Sequence, residues 1–210
     1  MNRDLSQIRK DFIKDELHAA ELNSSPFLQF KEWLNEAIDK GEHEPTAMTL
    51  CTVNTEGIPS ARVVLLKKLE EESGFWFFTN YSSKKGLELE ENKNAAVNFF
   101  WAGMERQVRI TGVVEKVSPK ESDEYFYSRP EDSQLSAITS PQSQVIESRQ
   151  QLEDWYEEAK QKEIKRPDNW GGYALIPTEM EFWQGRSGRL HDRIRYRWIN
   201  SNWQKERLAP

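Results

Sequence analysis

A chain of 210 residues and 24.7 kDa suits one domain, or one with a small appendage, and its hydrophobic share of 37% with a mean hydropathy of −0.84 means a lean core bulked by eight Trp, ten Phe and six Tyr. A net charge of −6 argues against a generic nucleic-acid binder, and the single Cys51 excludes an intramolecular disulfide framework or a multi-cysteine metal site. The amino terminus has no signal-peptide run and the longest apolar stretches are strand-sized, so no membrane span is expected and a cytoplasmic protein is.

Residues 1–20 place Leu5, Ile8 and Phe12 at helical spacing among charges, which predicts a weak amphipathic helix. A firmer helix follows: Ser25 caps it, Pro26 suits its first turn, Phe27, Phe30, Trp33, Leu34, Ala37 and Ile38 share a face, and Gly41 ends it. From Thr46 the period changes to two. Segments 46–54, 58–69 and 74–80 are rich in β-branched and aromatic residues, with Gly57 and Gly74 in the turns, predicting an antiparallel meander. Ser82 or Ser83 opens a short helix through Leu89, and strands over 95–101 and 106–117 flank Ala102-Gly103. Ser118-Pro119-Lys120-Glu121 has the form of a capping box and starts a helix through Phe126. Pro130 interrupts it, a short helix resumes over 131–138, and a polar helix spans 147–164. Strands return over 173–176, 179–184, 189–199 and 203–208. Antiparallel strands with inserted helices indicate an α+β fold, and about eight of them in one sheet would close or nearly close into a barrel.

No Gly-x-Gly-x-x-Gly, P-loop or Gly-x-Ser-x-Gly motif occurs, and His18, His43 and His191 lack paired ligand spacing, so no metal site is expected. Focal positive charge in an acidic chain is the informative signal. Five of the twelve residues from Arg186 to Arg197 are arginine. Arg189, His191 and Arg193 are expected on one face of a strand, a like-charge cluster that an anionic or electron-rich ligand would offset. Arg195 and Arg197 read as a solvated face. Arg62 and Lys67 end an apolar strand five residues apart, hence on opposite faces unless a bulge intervenes. Ser82-Ser83-Lys84-Lys85 sets two lysines at a helix start, where a phosphate would suit the dipole; plain surface lysines are the alternative. Tyr125, Arg129 and Ser133, at i, i+4 and i+8, make a phosphate grip if the helix continues past Pro130. Trp183, Gln107 and Gln184 offer stacking and amide hydrogen bonds to a flat ring. This inventory fits a phosphorylated cofactor beside a phosphorylated substrate.

Several blocks carry a specific resemblance: Arg62-Val63-Val64-Leu65-Leu66-Lys67, Phe78-Thr79-Asn80, Glu105-Arg106-Gln107-Val108, Ser128-Arg129-Pro130, Asp132-Ser133-Gln134, Gln142-Ser143, Trp170-Gly171-Gly172, Phe182-Trp183-Gln184-Gly185 and Arg189-Leu190-His191-Asp192-Arg193. In these the chain resembles the pyridoxine/pyridoxamine 5′-phosphate oxidase family, from about residue 5 to its end. The resemblance implies an antiparallel split β-barrel surrounded by helices, in a homodimer with FMN between the subunits. Residues 1–20 would be a mobile cover over the active site and 21–210 a single FMN-binding domain. By matching position, Arg62, Val63, Val64, Leu65, Leu66, Lys67, Phe78, Thr79, Lys84, Lys85, Gln107, Gln142, Ser143, Trp183 and Arg193 would hold FMN. Lys67, Tyr125, Arg129 and Ser133 would hold the substrate phosphate. Arg189 and His191 would lie over the pyridine ring as the catalytic residues, and Arg9 would help cover the site.

The implied reaction oxidises pyridoxamine or pyridoxine 5′-phosphate to pyridoxal 5′-phosphate, with a hydride passing from C4′ to the flavin and O2 reduced to H2O2. The sequence departs from the family pattern at Lys84, Phe12, Ser136 and Ile138, where Arg, Tyr, Gly and Trp are usual. The alternatives are a split-barrel FMN reductase with another substrate, or a carrier of flavin or pyridoxal phosphate without turnover.

Overall fold

Ser25 caps the first long helix of the computed structural model, which describes residues 4–8 and 11–210. Its hydroxyl accepts from the Leu28 amide, Pro26 fills the first turn, and α1 (Pro26–Asp39) buries Phe27, Phe30, Trp33 and Ala37. Gly41 follows at φ +70°, a left-handed conformation that ends a helix with no Cβ in the way.

The helix expected near the amino terminus is reduced to a single 3-10 turn at Leu5–Gln7 among the described residues. The chain from Asp11 to Ser24 is irregular because side chains take its backbone groups. The Glu105 carboxylate accepts from the Ile13 and Lys14 amides at 2.9 and 3.1 Å, and Asp192 accepts from the Leu17 amide at 3.1 Å.

The remaining elements follow the alternation of the sequence. They are β1 (Ala47–Val53), β2 (Pro59–Leu65), β3 (Lys68–Glu70), β4 (Gly74–Asn80), α2 (Lys84–Glu91), β5 (Asn94–Trp101), β6 (Arg106–Lys116), α3 (Pro119–Ser128), α4 (Glu131–Thr139), α5 (Arg149–Lys160), β7 (Trp170–Gln184), β8 (Asp192–Ile199) and β9 (Asn202–Leu208). The strands hydrogen-bond in the order β2-β1-β5-β6-β7-β4-β3, with β8 joining β7 and β9 joining β8. The α+β class expected from the sequence is the one observed.

Strand boundaries depart most from expectation at three places. The strand foreseen over 58–69 stops at Leu65 and restarts at Lys68. Segments 173–176 and 179–184 are one strand, β7, which pairs with β4 through Trp170–Leu175 and with β8 through Glu179–Gln184. Pro177, which has no N–H to donate, falls between these two registers. The strand foreseen from Arg189 begins only at Asp192, after a 3-10 turn at Ser187–Arg189.

The chain forms two compact units, one of residues up to Met48 with Val97–Thr111 and Thr178–Pro210, the other of Thr49–Ala96 with Gly112–Pro177. The first packs its aromatics edge to face: Phe30 on Phe99 at 4.8 Å, Trp33 on Phe182 at 5.2 Å, and Phe182 on Tyr196 at 5.6 Å. The Tyr196 hydroxyl donates to the Asn23 carbonyl at 2.7 Å, and burial pushes that phenol well above its ordinary value. The second buries Leu50, Phe75, Phe77, Phe126 and Leu175, with Phe77 5.7 Å from Tyr173. Each such ring or aliphatic contributes roughly 1.5–3 kcal/mol on burial, so both cores are substantial despite the low aliphatic content.

Candidate active site

The second unit carries a groove of about 990 Å³. Among its described lining residues five are cations, Arg62, Lys67, Lys84, Lys85 and Arg129, and none is acidic. In a chain of net charge −6 that is a local inversion of sign.

Each cation is placed by a different element. β2 carries Arg62, whose Nη1 donates to the Leu50 carbonyl (3.2 Å) and Thr52 Oγ1 (2.5 Å), and whose Nη2 donates to Glu88 Oε2 (3.2 Å). The end of β2 at Leu65 frees the chain to turn, and the Lys67 amide donates to the Trp76 carbonyl at 2.8 Å as the β3–β4 pair begins. This break lets Lys67 line the same groove as Arg62, where an unbroken strand would have set them on opposite faces.

Ser83 caps α2 and accepts from the Gly86 amide, so Lys84 and Lys85 open the helix. Lys85 is buried, and its Nζ donates to Gln142 Oε1 at 2.8 Å, Thr79 Oγ1 at 3.2 Å and Ser83 Oγ at 3.3 Å. Burial first, then the positive charge of Arg62, pushes its pKa down to about 8. Gln142 precedes Ser143, which holds φ +73°.

The helix carrying Tyr125 does not run through Arg129. It stops at Ser128, Arg129 is extended, and α4 restarts after Pro130, yet Tyr125, Arg129 and Ser133 all line the groove. Tyr125 stacks on Phe78 at 3.9 Å, and the Arg129 guanidinium lies 4.7 Å over the Trp170 ring. Arg129 Nη1 is buried with no hydrogen-bond partner. A buried guanidinium nitrogen without an acceptor costs free energy that an anion in the groove would recover.

The first unit holds the second arginine-rich group, and here the expected strand face gives way to a turn. Gly188 and Arg189 both have φ +62°, and for Arg189 that conformation is strained. Arg189, His191, Arg186 and Phe12 line a cavity of about 640 Å³. His191 Nδ1 accepts from the Arg186 amide at 3.1 Å, so the neutral ring carries its proton on Nε2. The ring lies 4.8 Å from Trp183 and 5.7 Å from Phe12, and Phe12 meets Trp183 edge-on at 5.6 Å.

Arg193 pairs across the sheet with Trp183. Buried Glu181 grips it in bidentate fashion, Nε to Oε1 at 2.9 Å and Nη2 to Oε2 at 3.1 Å, while Nη1 donates to the Ala209 carbonyl. Burial alone would raise the Glu181 carboxyl, but hydrogen bonds from Arg193 and Arg109 and their charge outweigh it and hold the group below the usual range.

The structure thus divides the sequence-derived residues into two groups. Arg62, Val63, Val64, Leu65, Lys67, Phe78, Thr79, Lys84, Lys85, Tyr125, Arg129, Ser133, Gln142 and Ser143 line the basic groove. Leu66 is buried and does not line it. Gln107, Trp183, Arg189, His191 and Arg193 lie in the other unit, and Arg9 falls outside the described residues. Gln184 is fully buried, its amide spent on the Met104 and Glu105 carbonyls and on Arg106, so it has nothing left for a ligand ring. Glu88, which orients Arg62, escaped the sequence reading because a glutamate among the charges of residues 84–91 looks solvated, and Glu181 gave no sign there that it would hold Arg193. Among the described residues no His, Cys, Asp and Glu group can hold a metal, and no helix is long and apolar enough to cross a membrane.

Comparison with known proteins shows the family. Residues 34–163 match the family model described as pyridoxamine 5′-phosphate oxidase, and residues 170–210 match one described as the pyridoxine 5′-phosphate oxidase C-terminal dimerisation region. A Nostoc punctiforme protein named pyridoxine/pyridoxamine 5′-phosphate oxidase is 53% identical over the whole of both chains. One of the same name from Pseudomonas putida is 49% identical, again over the whole of both. The crystal structure of PhzG from Burkholderia lata, in complex with tetrahydrophenazine-1-carboxylic acid, superposes with a TM-score of 0.88 at 30% identity, covering 93% of this chain and 98% of that one.

Proposed function

Because the chain belongs to the pyridoxamine 5′-phosphate oxidase family, we propose that it binds FMN and oxidises pyridoxamine and pyridoxine 5′-phosphates to pyridoxal 5′-phosphate, O2 being reduced to H2O2. The observation that carries this is the groove of five cations and no carboxylate, with the buried, unpartnered Nη1 of Arg129 inside it. Two phosphate monoesters carry about −3 to −4 at neutral pH, and five cations suit that load where one or two would not.

Arg62, Lys84 and Lys85, with Thr79, Gln142 and Ser143, are the residues assigned to the FMN phosphate and its neighbourhood; Phe78 and the strand residues Val63–Leu65 flank them, and Leu66 does not. Gln107, Trp183 and Arg193 are assigned to the flavin as well. FMN, when bound, supplies the two-electron acceptor that takes a hydride from the substrate carbon and passes the electrons to O2.

The protein's part is positioning and charge. Lys67, Tyr125, Arg129 and Ser133 grip the substrate phosphate, and that remote binding energy holds the reacting carbon in place. Arg189 and His191 are assigned to the substrate ring, the His191 imidazole and the Arg189 guanidinium orienting it and stabilising charge that changes on it. The carboxy-terminal match supports a homodimer as the working form.

The solved PhzG structure holds tetrahydrophenazine-1-carboxylic acid, which gives a second reading, oxidation of an unphosphorylated ring. The phosphate grip of Lys67, Tyr125, Arg129 and Ser133 favours the first. The test is aerobic turnover of the FMN-loaded protein with pyridoxamine phosphate, unphosphorylated pyridoxamine and a reduced phenazine carboxylate as separate substrates. Pyridoxal phosphate with equimolar H2O2 from the first alone is expected. Turnover of the phenazine alone, or of none, would refute the assignment.

A further inference from the structure

Glu88 is a carboxylate sealed under the floor of the basic groove. It is 4% exposed, lies on α2 one turn after Lys84 and Lys85, and does not line the groove itself. Three of its four side-chain contacts are to cations or to the hydroxyl that holds one, and the fourth is to Ser60. Oε2 accepts from Thr52 Oγ1 at 2.5 Å and from Arg62 Nη2 at 3.2 Å; Oε1 accepts from Ser60 Oγ at 2.6 Å and stands 3.8 Å from Lys84 Nζ. Thr52 closes a triangle, since it also accepts from Arg62 Nη1. Burial works against ionisation of Glu88, yet the hydrogen bonds from Ser60 and Thr52 and the charges of Arg62 and Lys84 hold its carboxyl below the usual range.

The guanidinium inventory shows what this achieves. Arg62 has five N–H groups, and three are spent on Leu50, Thr52 and Glu88. The remaining two are fixed in direction by those three, on a side chain that lines the groove. We propose that Glu88 is a positioning residue, which locks Arg62 with its two free donors toward the cofactor phosphate and thereby sets the affinity of the groove for that phosphate.

Simple charge counting gives the opposite sign. A carboxylate beside an anion site repels the anion, so its removal would tighten binding if Glu88 acted only as a charge. As a positioning group its loss weakens binding, because Arg62 then spends free energy on being ordered and its donors no longer arrive pre-aimed.

The proposal rests on the assignment of FMN to this groove, and the experiment separates the two. Dissociation constants for FMN and for riboflavin, which lacks the phosphate, are measured by flavin fluorescence quenching on wild-type protein, Glu88→Ala and Glu88→Gln. Glu88→Ala is expected to weaken FMN about tenfold or more, the scale of one charge-assisted hydrogen bond, and to leave riboflavin unchanged. Glu88→Gln keeps the shape and loses the charge, and is expected to weaken FMN about threefold in the same phosphate-selective way. It carries the test should Glu88→Ala not fold. Unchanged or tighter FMN binding overturns the proposal, and so does an equal loss for FMN and riboflavin, which would mark a general structural role. Wild-type protein that binds FMN no better than riboflavin would instead overturn the FMN assignment, and the role of Glu88 with it.

Discussion

Lys85 is buried with two hydroxyls and an amide oxygen as its partners, an arrangement that satisfies its N–H groups without balancing its charge. Its pKa of about 8, set by burial and then by Arg62, has a defined consequence. A lysine whose folded pKa lies below the unfolded value binds fewer protons folded than unfolded between about pH 8 and 10.4. The cost of its charge is therefore fully present below pH 8 and fades as pH rises through that window, so this group favours folding of the cofactor-free protein at alkaline pH. A bound phosphate reverses the preference. FMN affinity should fall by up to about tenfold per pH unit above pH 8, and titrations between about pH 7 and 9.5 would show it. Lys85→Met should bind weakly throughout and lack the step. A flat profile in the wild type would contradict the charge assigned to Lys85.

At the same scale, Arg189 sits in a strained left-handed turn and His191 has its tautomer set by the Arg186 amide. Arg189→Ala should lower kcat/KM for pyridoxine phosphate by about 10²-fold, the scale of a lost orienting contact. Undiminished turnover would remove Arg189 from the reaction.

Among the elements, those with a complete local signal were legible in the sequence. Ser118 and Glu121 make the reciprocal capping box that starts α3, Ser25 caps α1 as its position suggests, and of the two candidates for α2, Ser82 and Ser83, it is Ser83 that caps. What the sequence did not carry were breaks fixed by a neighbouring strand or by backbone conformation. Period two continues past Leu65 and the arginine alternation begins at Arg189, but the strands end or start elsewhere. In the first case the Lys67 amide bonds Trp76; in the second, Gly188 and Arg189 adopt positive φ.

Position of α2 matters most for the groove, and Gly86 fixes it. A Cβ there would stand 2.1 Å from the Tyr81 carbonyl oxygen, a clash with backbone that cannot swing aside. Gly86→Ala should cost at least about 2 kcal/mol of stability and weaken FMN binding by shifting Lys84 and Lys85. Ser118→Ala, by contrast, should cost about 1 kcal/mol through its lost cap and leave FMN binding alone. Urea denaturation and flavin titration of both variants check the pair. Equal effects of the two on FMN would refute the role given to α2.

For the whole molecule, the sequence named the residues that line the groove better than it explained how they meet. Arg62, Lys85 and Arg129 stand far apart in the chain, yet Lys85 and Arg129 stood out beside hydroxyls and Arg62 at the end of an apolar strand. The glutamate that aims Arg62 could not be found in this way, because burial is a property of the assembled fold. The two groups of site residues belong to different compact units, and the match of residues 170–210 to a dimerisation region supports two copies per functional particle. Sedimentation should give twice the 24.7 kDa chain mass, and a monomer that turns over at full rate would contradict the dimer.

Chemistry at the groove is most directly tested by titrating FMN-loaded protein with pyridoxamine 5′-phosphate in the absence of O2. The visible flavin absorption should bleach, release one pyridoxal phosphate per flavin, and return when air is admitted. A flavin that stays yellow with this substrate, or bleaches only with a nicotinamide donor, would contradict the assigned activity.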